Sequence, residues 1–197
     1  MDTRLARTAS NPRRADIFVG ALASIWPDAL PSLVSLATNS PPWTRWSAVG
    51  VLEGFVSDPA VAAPLVPMLM SCLSDTNMDT DYPVTGPAGR VLEAMDPSIA
   101  VPALTSALES ASAWTRQRAL GCLWVFHEEN PTNIPSSTVP ALRAAMRDPD
   151  SKVRSTATEF LRRMGGWELV GERWVRRHGT NTLHGITPDF FTNAPSR

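Results

Sequence analysis

Two thirteen-residue stretches of the chain, WTRWSAVGVLEGF (Trp43 to Phe55) and WTRQRALGCLWVF (Trp114 to Phe126), are identical at seven positions. A segment carried twice constrains the fold strongly, because both copies must find equivalent surroundings. TGPAGRVLEAM (Thr85 to Met95) and RSTATEFLRRM (Arg154 to Met164) align with both without gaps. Ala48, Ala88, Ala119 and Ala157 then form one column, and Leu52, Leu92, Leu123 and Leu161 another, four residues later. Residues at i and i+4 share one face of a helix. The alanine lets a neighbouring helix approach, and the leucine fills the space beside it.

Each unit carries a second apolar pattern upstream: LPSLVSL (Leu30 to Leu36), VPMLMSCL (Val66 to Leu73), VPALTSAL (Val101 to Leu108) and VPALRAAM (Val139 to Met146). Pro31, Pro67, Pro102 and Pro140 suit the first turn of a helix, where the missing N–H has no partner to lose. Eight residues after each proline stands Asn39, Asp75, Ser110 or Asp148. These types end one helix and cap the next. In the second unit the polar stretch SDTNMDTDYP (Ser74 to Pro83) lengthens the inter-helix loop by four residues. Each unit is therefore helix, loop, helix. A lone amphipathic pair cannot bury its own apolar face, so the pairs are expected to stack.

The AVPAL…DPDSKVRSTATEFLRRMG pattern resembles the HEAT-repeat family, particularly its short bacterial form, over roughly residues 28–165. The resemblance implies an all-α, right-handed α-solenoid of about four helix pairs, armadillo-like in character. Its most specific piece is the last unit, where Asp148 and Arg154 match the family's Asp/Arg ladder. Elsewhere the arginine column reads Arg45, Thr85 and Arg116, and only Asp75 joins Asp148 in the aspartate column. A ladder of repeated ion pairs is not expected from so broken a pattern.

Residues 1–27 read as N-terminal capping helices. Their apolar run IFVGALASIW, which abuts Asp16 and is followed by Trp-Pro-Asp, is read as a buried helix rather than a signal peptide. Arg4, Arg7, Arg13 and Arg14 read as a solvated terminus. After Gly165-Gly166 the period becomes alternating, so 166–178 are expected to form a small C-terminal β-hairpin cap. Gly171 suits a type II′ turn, and that register pairs Leu169 with Trp174. Residues 179–197 form an irregular tail, whose Phe190-Phe191 pair either docks on the body or stays mobile.

The chemistry-bearing residues do not assemble into a catalytic set. His127, His178 and His184 are the only histidines, and none has zinc-ligand spacing. HEEN (His127 to Asn130) reads as a solvated helix terminus. Cys72 and Cys122 lie in apolar helical patterns and read as small buried thiols in a reducing cytoplasm. Neither a nucleophile elbow nor a phosphate-binding loop occurs, and no cofactor or metal is expected. No apolar run is long enough to span a bilayer. Trp43 and Trp114, at the start of their helices, are expected to staple loop to helix.

If the alanine and leucine columns face the core, the positions beside them face outward. They read Trp46, Gly86, Gln117, Ser155; Val49, Gly89, Leu120, Thr158; Gly50, Arg90, Gly121, Glu159; and Glu53, Glu93, Trp124, Arg162. The family resemblance implies that second helices line a concave groove. The candidate partner-binding residues are accordingly Trp46, Glu53, Arg90, Glu93, Gln117 and Trp124. Glycine in a helix costs about 1 kcal/mol relative to alanine. Several on one face imply either a closely packed ligand or tight helix–helix packing.

These features point to a non-catalytic protein-binding scaffold, within which a bacterial immunity or regulatory protein is one specific form. The alternative is a HEAT-like alkylpurine DNA glycosylase or another nucleic-acid-binding protein, with Trp46, Glu53, Glu93 and Trp124 in the cleft. A net charge of −1 and few basic residues on that face speak against nucleic acid. A bilin lyase-like protein rests on fold analogy alone.

Overall fold

Capping chemistry sets where the helices begin. In the computed structural model, which describes Ala21, residues 28–75 and 83–165, and the backbone of 167–170 and 173–176, eight α-helices are placed. They are α1 (Leu30–Asn39), α2 (Pro42–Leu52), α3 (Pro59–Leu73), α4 (Thr85–Glu93), α5 (Pro97–Ala107), α6 (Ala113–Glu129), α7 (Val139–Ala145) and α8 (Ser151–Met164). Asp58 caps α3 by accepting from the Ala60 N–H, Ser112 caps α6 through Thr115, and Asp150 caps α8 through Lys152 and Val153. The capping residues thus stand two places beyond Ser110 and Asp148. Those two instead brace the turn, accepting from the N–H groups of Ser112 and Asp150.

Pro31 and Pro140 occupy first turns, as their spacing suggests. Pro67 and Pro102 do not. They lie inside α3 and α5, whose first turns begin upstream at Pro59 and Pro97. The Asp58 and Asp96 carboxylates, which accept from Ala60 and Ser98, start these helices earlier than the repeat pattern implies.

The chain divides into two compact units, Met1–Leu104 and Thr105–Arg197. In the first, α1 turns back on α2 and α3 on α4; α2 lies beside α4, and α1 beside α3. First helices therefore neighbour first helices and second neighbour second, which is repeat stacking. In the second unit α7 pairs with α8, and α8 lies beside α6. Two 3₁₀ turns, Pro131–Asn133 and Ser136–Thr138, join α6 to α7, with Ile134 buried between them.

The core follows the repeat columns. Ala48, Ala88, Ala119 and Ala157 are fully buried, as are Leu52, Leu92, Leu123 and Leu161. Strands β1 (Trp167–Val170) and β2 (Arg173–Arg176) pair antiparallel with Leu169 opposite Trp174, and β1 adjoins α8. The turn assigned to Gly171, the N-terminal caps and the tail lie outside the described residues, as does most of the Ser74–Pro83 loop. Among the described residues, no helix is long and apolar enough to cross a membrane.

Candidate functional site

The outward face of the second helices is the place to look for function, because the opposite face is consumed by the core. Three of the four outward rows are at least partly solvent-accessible. Trp46, Gly86 and Gln117 are half-buried and Ser155 exposed; Arg90 and Gly121 are exposed; Glu53 is exposed, with Glu93 and Trp124 half-buried. The remaining row turns inward: Val49, Gly89 and Leu120 are buried. A stacked second helix is covered on two sides, by its own first helix and by the next second helix. Val49 on α2 and Leu120 on α6 belong to helices that lie beside α4 and α8. The outward arc is narrower than one helix considered alone suggests.

In the first unit, Glu53 and Arg90 from adjacent second helices meet. Arg90 Nε donates to Glu53 Oε2 at 3.4 Å, with the two side chains 51% and 46% exposed. A pair so open to solvent adds at most ~1 kcal/mol to stability, so its charges remain available to a partner. Trp46 is not isolated. Its ring stacks on Trp43 with centroids 5.4 Å apart and planes 15° from parallel. The i, i+3 spacing of the two tryptophans on α2 carries that signal.

In the second unit, Trp124 leans on the buried Phe160 at 5.5 Å, and the Arg163 guanidinium lies 4.8 Å from the Trp124 ring centroid. Arg163 also donates to Glu159 and Glu128, each at 3.1 Å. Trp124 is thus sandwiched between core and cation, and Arg163 is a member of this cluster that the column reading overlooked. The Glu159–Arg163 spacing of i, i+4 marks it. Gln117 lies about two turns before Trp124 on the same helix. Trp114 carries a cation of its own, Arg118, 4.5 Å from its ring centroid.

The glycines divide. A Cβ on Gly50 would touch Pro87 of α4 at 4.0 Å, which is ordinary contact. At Gly86 and Gly121 it would meet nothing within 4 Å. Helix–helix packing among the described residues therefore does not account for these two.

The ion-pair ladder exists where its charges are present. Arg45 Nη1 contacts Asp75 Oδ2 at 2.7 Å. Arg116 grips Asp148 through two bonds, Nε to Oδ2 at 2.6 Å and Nη2 to Oδ1 at 2.7 Å, with both residues buried. The expectation against repeated pairs fails because the partners are not in one unit: each arginine reaches the aspartate of the following one. The hydrogen bonds from Arg116 hold the Asp148 carboxyl below its ordinary value. In the second repeat Thr85 replaces the arginine and is buried, its hydroxyl without a hydrogen-bond partner among the described residues.

Of the potential nucleophiles and bases, Cys72 and Cys122 are buried thiols outside any disulfide, and burial pushes the Cys72 thiol up to about 11. Such a thiol stays protonated and inert. His127 is buried, not solvated as HEEN suggests, and its ring lies 5.5 Å from that of Phe160. Desolvation lowers its pKa. No group of three or more potential ligands is placed to hold a metal ion among the described residues.

A family model for HEAT repeats matches residues 101–170. No curated protein matches the chain. Among solved structures, the chain is similar to an engineered protein, a Northeast Structural Genomics Consortium target, at 20% identity. That match covers 84% of this chain and 81% of the other, with a TM-score of 0.43. A second engineered protein from the same consortium is similar at 21% identity over 83% and 72%, TM-score 0.43. A computationally designed armadillo repeat protein for modular peptide recognition is similar at 17% identity over 79% and 71%, TM-score 0.41. The match to the family model gives residues 101–170 HEAT-repeat character, and the helix pairs and buried alanine and leucine columns described above agree with it.

Proposed function

We propose that the chain is a non-catalytic, cytoplasmic protein-binding module, and that its partner docks on the outward face of the second helices. Trp46, Glu53, Arg90 and Glu93 would serve in the first unit, with Gln117 and Trp124 in the second. The observation that carries the reading is the exposed Glu53–Arg90 pair between adjacent second helices. It sits above a fully buried aliphatic scaffold, contributes little to that scaffold and offers both signs of charge. Half-buried tryptophans on the same helices add the rigid aromatic area that interface hot spots favour. A regulatory or immunity role would be one use of such a surface.

Exchanging the charges, Glu53→Arg with Arg90→Glu, preserves an intramolecular ion pair while reversing the pattern. The wild-type protein should capture a partner from its native lysate, and the exchanged variant should lose it with an unchanged melting temperature. Equal capture by the variant would remove this face from consideration. Binding to DNA that weakens steeply with salt and is abolished at Arg90 would replace the protein-partner reading by a nucleic-acid one.

A further inference from the structure

Arg154 is held as Arg116 is held, but only half of its guanidinium is used. In Arg116, Nη1 donates to the carbonyls of Ser110 and Ala111, six and five residues back, at 2.7 and 3.1 Å. Those bonds fix the plane of the group, and its other edge, Nε and Nη2, takes both oxygens of Asp148. In Arg154, Nη1 donates to the carbonyls of Asp148 and Pro149, again six and five residues back, at 2.6 and 2.9 Å. Its Nε and Nη2 have no acceptor among the described residues. The same clamp of loop carbonyls thus presents an open two-pronged edge on exposed Arg154.

The turn that carries this edge has its acids committed elsewhere. Asp148 accepts from Arg116 and from the Asp150 N–H, and Asp150 caps α8 through the N–H groups of Lys152 and Val153. Arg147 and Lys152 are exposed and, like Arg154, form no ion pair among the described residues. The solvent side of the turn is therefore cationic. Arg116 shows which ligand the two-pronged edge accepts in this protein: the two oxygens of one carboxylate, at 2.6 and 2.7 Å. We propose that the turn between α7 and α8 docks an acidic segment of a protein partner, one carboxylate of which seats on Nε and Nη2 of Arg154 as Asp148 seats on Arg116. Nη1 is already tied to the loop, so the edge is in place before the partner arrives and little ordering is left to oppose binding. Arg147 and Lys152 attract neighbouring acids of the same segment, Lys152 as a point charge. The site uses none of the residues assigned to the outward face of the second helices, so the two readings can fail separately.

Fluorescein-labelled hexaglutamate, titrated into the full chain at low salt and followed by anisotropy, tests the site. Arg154→Lys keeps the cation but removes the two-pronged edge, and should weaken binding about fivefold, the scale of a part-exposed charge pair. Exchanging Glu53 and Arg90 should leave the peptide bound as before. Carbodiimide coupling of the same peptide to the wild-type protein locates the site without any substitution, and the adduct should form at Lys152, the chain's only lysine. Equal affinity for Arg154→Lys, or coupling at the N-terminal amine in place of Lys152, would overturn the proposal. Loss of the peptide in the Glu53–Arg90 exchange would overturn it too, by placing the acidic segment on that other face. So would a hexathymidylate that binds more tightly than hexaglutamate and loses this advantage in Arg154→Lys, because the edge would then serve phosphate.

Discussion

His127 and Asp148 show how one side chain's setting differs from what its neighbours in sequence suggest. HEEN contains four polar residues, so it reads as a wet helix end. Yet α6 continues to Glu129, and His127 falls on the face that meets Phe160 of α8. Glu128 and Arg163 act on the imidazole in opposite directions, and burial outweighs both. The ring is therefore held neutral. Its folded-state pKa lies below the ordinary value near 6.5, so the unfolded chain takes up the proton first as pH falls. The contribution of His127 is complete above that value and is lost as pH falls through the window beneath it. Asp148 also has a lowered value, but from its bonds to Arg116, so its contribution is lost only as pH falls below the ordinary carboxylate range. The melting temperature should thus decline between pH about 7 and about 5 in the wild type, and less so in His127→Phe. Parallel pH profiles for the two proteins would show that His127 is not the group responsible. The Arg116–Asp148 pair, by contrast, was hidden from a reading made unit by unit, because its two halves belong to consecutive repeats.

At the scale of a helix, periodicity reveals one buried stripe but not a second neighbour. The alanine and leucine columns were legible because they recur at i, i+4 in every unit. The burial of Val49 and Leu120 was not, since it depends on the next second helix lying alongside. Helix starts depart from the repeated prolines where an aspartate upstream, Asp58 or Asp96, captures the backbone before the proline is reached. Ala157 and Gly121 test the two sides of this geometry. Ala157 is fully enclosed in α8, so Ala157→Leu should overpack the core and cost roughly 1–3 kcal/mol. Gly121 sits in α6 with open space where a Cβ would go, so Gly121→Ala should stabilise by up to ~1 kcal/mol. Urea denaturation distinguishes the outcomes. An unchanged midpoint for Ala157→Leu would mean that the facing of α8 is wrong. If Gly121→Ala is stabilising and also impairs partner binding, the open space beside it belongs to the partner.

Across the whole chain, the repeat made the helical architecture legible from four aligned fragments, while the candidate surface was only partly so. Surface residues leave no column to follow: Trp46 and Trp124 occur once each, and only the i, i+3 spacing to Trp43 and the i, i+4 spacing of Glu159 and Arg163 point to their companions. Stacked repeats also make a prediction about length. In the second unit α8 covers the side of α6 that carries Leu120 and Phe160 packs against His127, while Asp148 neutralises Arg116. Deleting residues 137–177 removes α7, α8 and Asp148 together. The remaining α6 would expose Leu120 and Leu123, both fully buried in the intact protein, and Arg116 would lose its acceptor. Neither loss can be repaired within a single helix, because repeats bury their apolar faces only against one another. A 1–136 fragment should therefore aggregate, or melt without a cooperative transition, when followed by circular dichroism and light scattering. A monomeric fragment with a sharp transition would mean that the third helix pair is self-sufficient, and that stacking against the fourth is not what holds it.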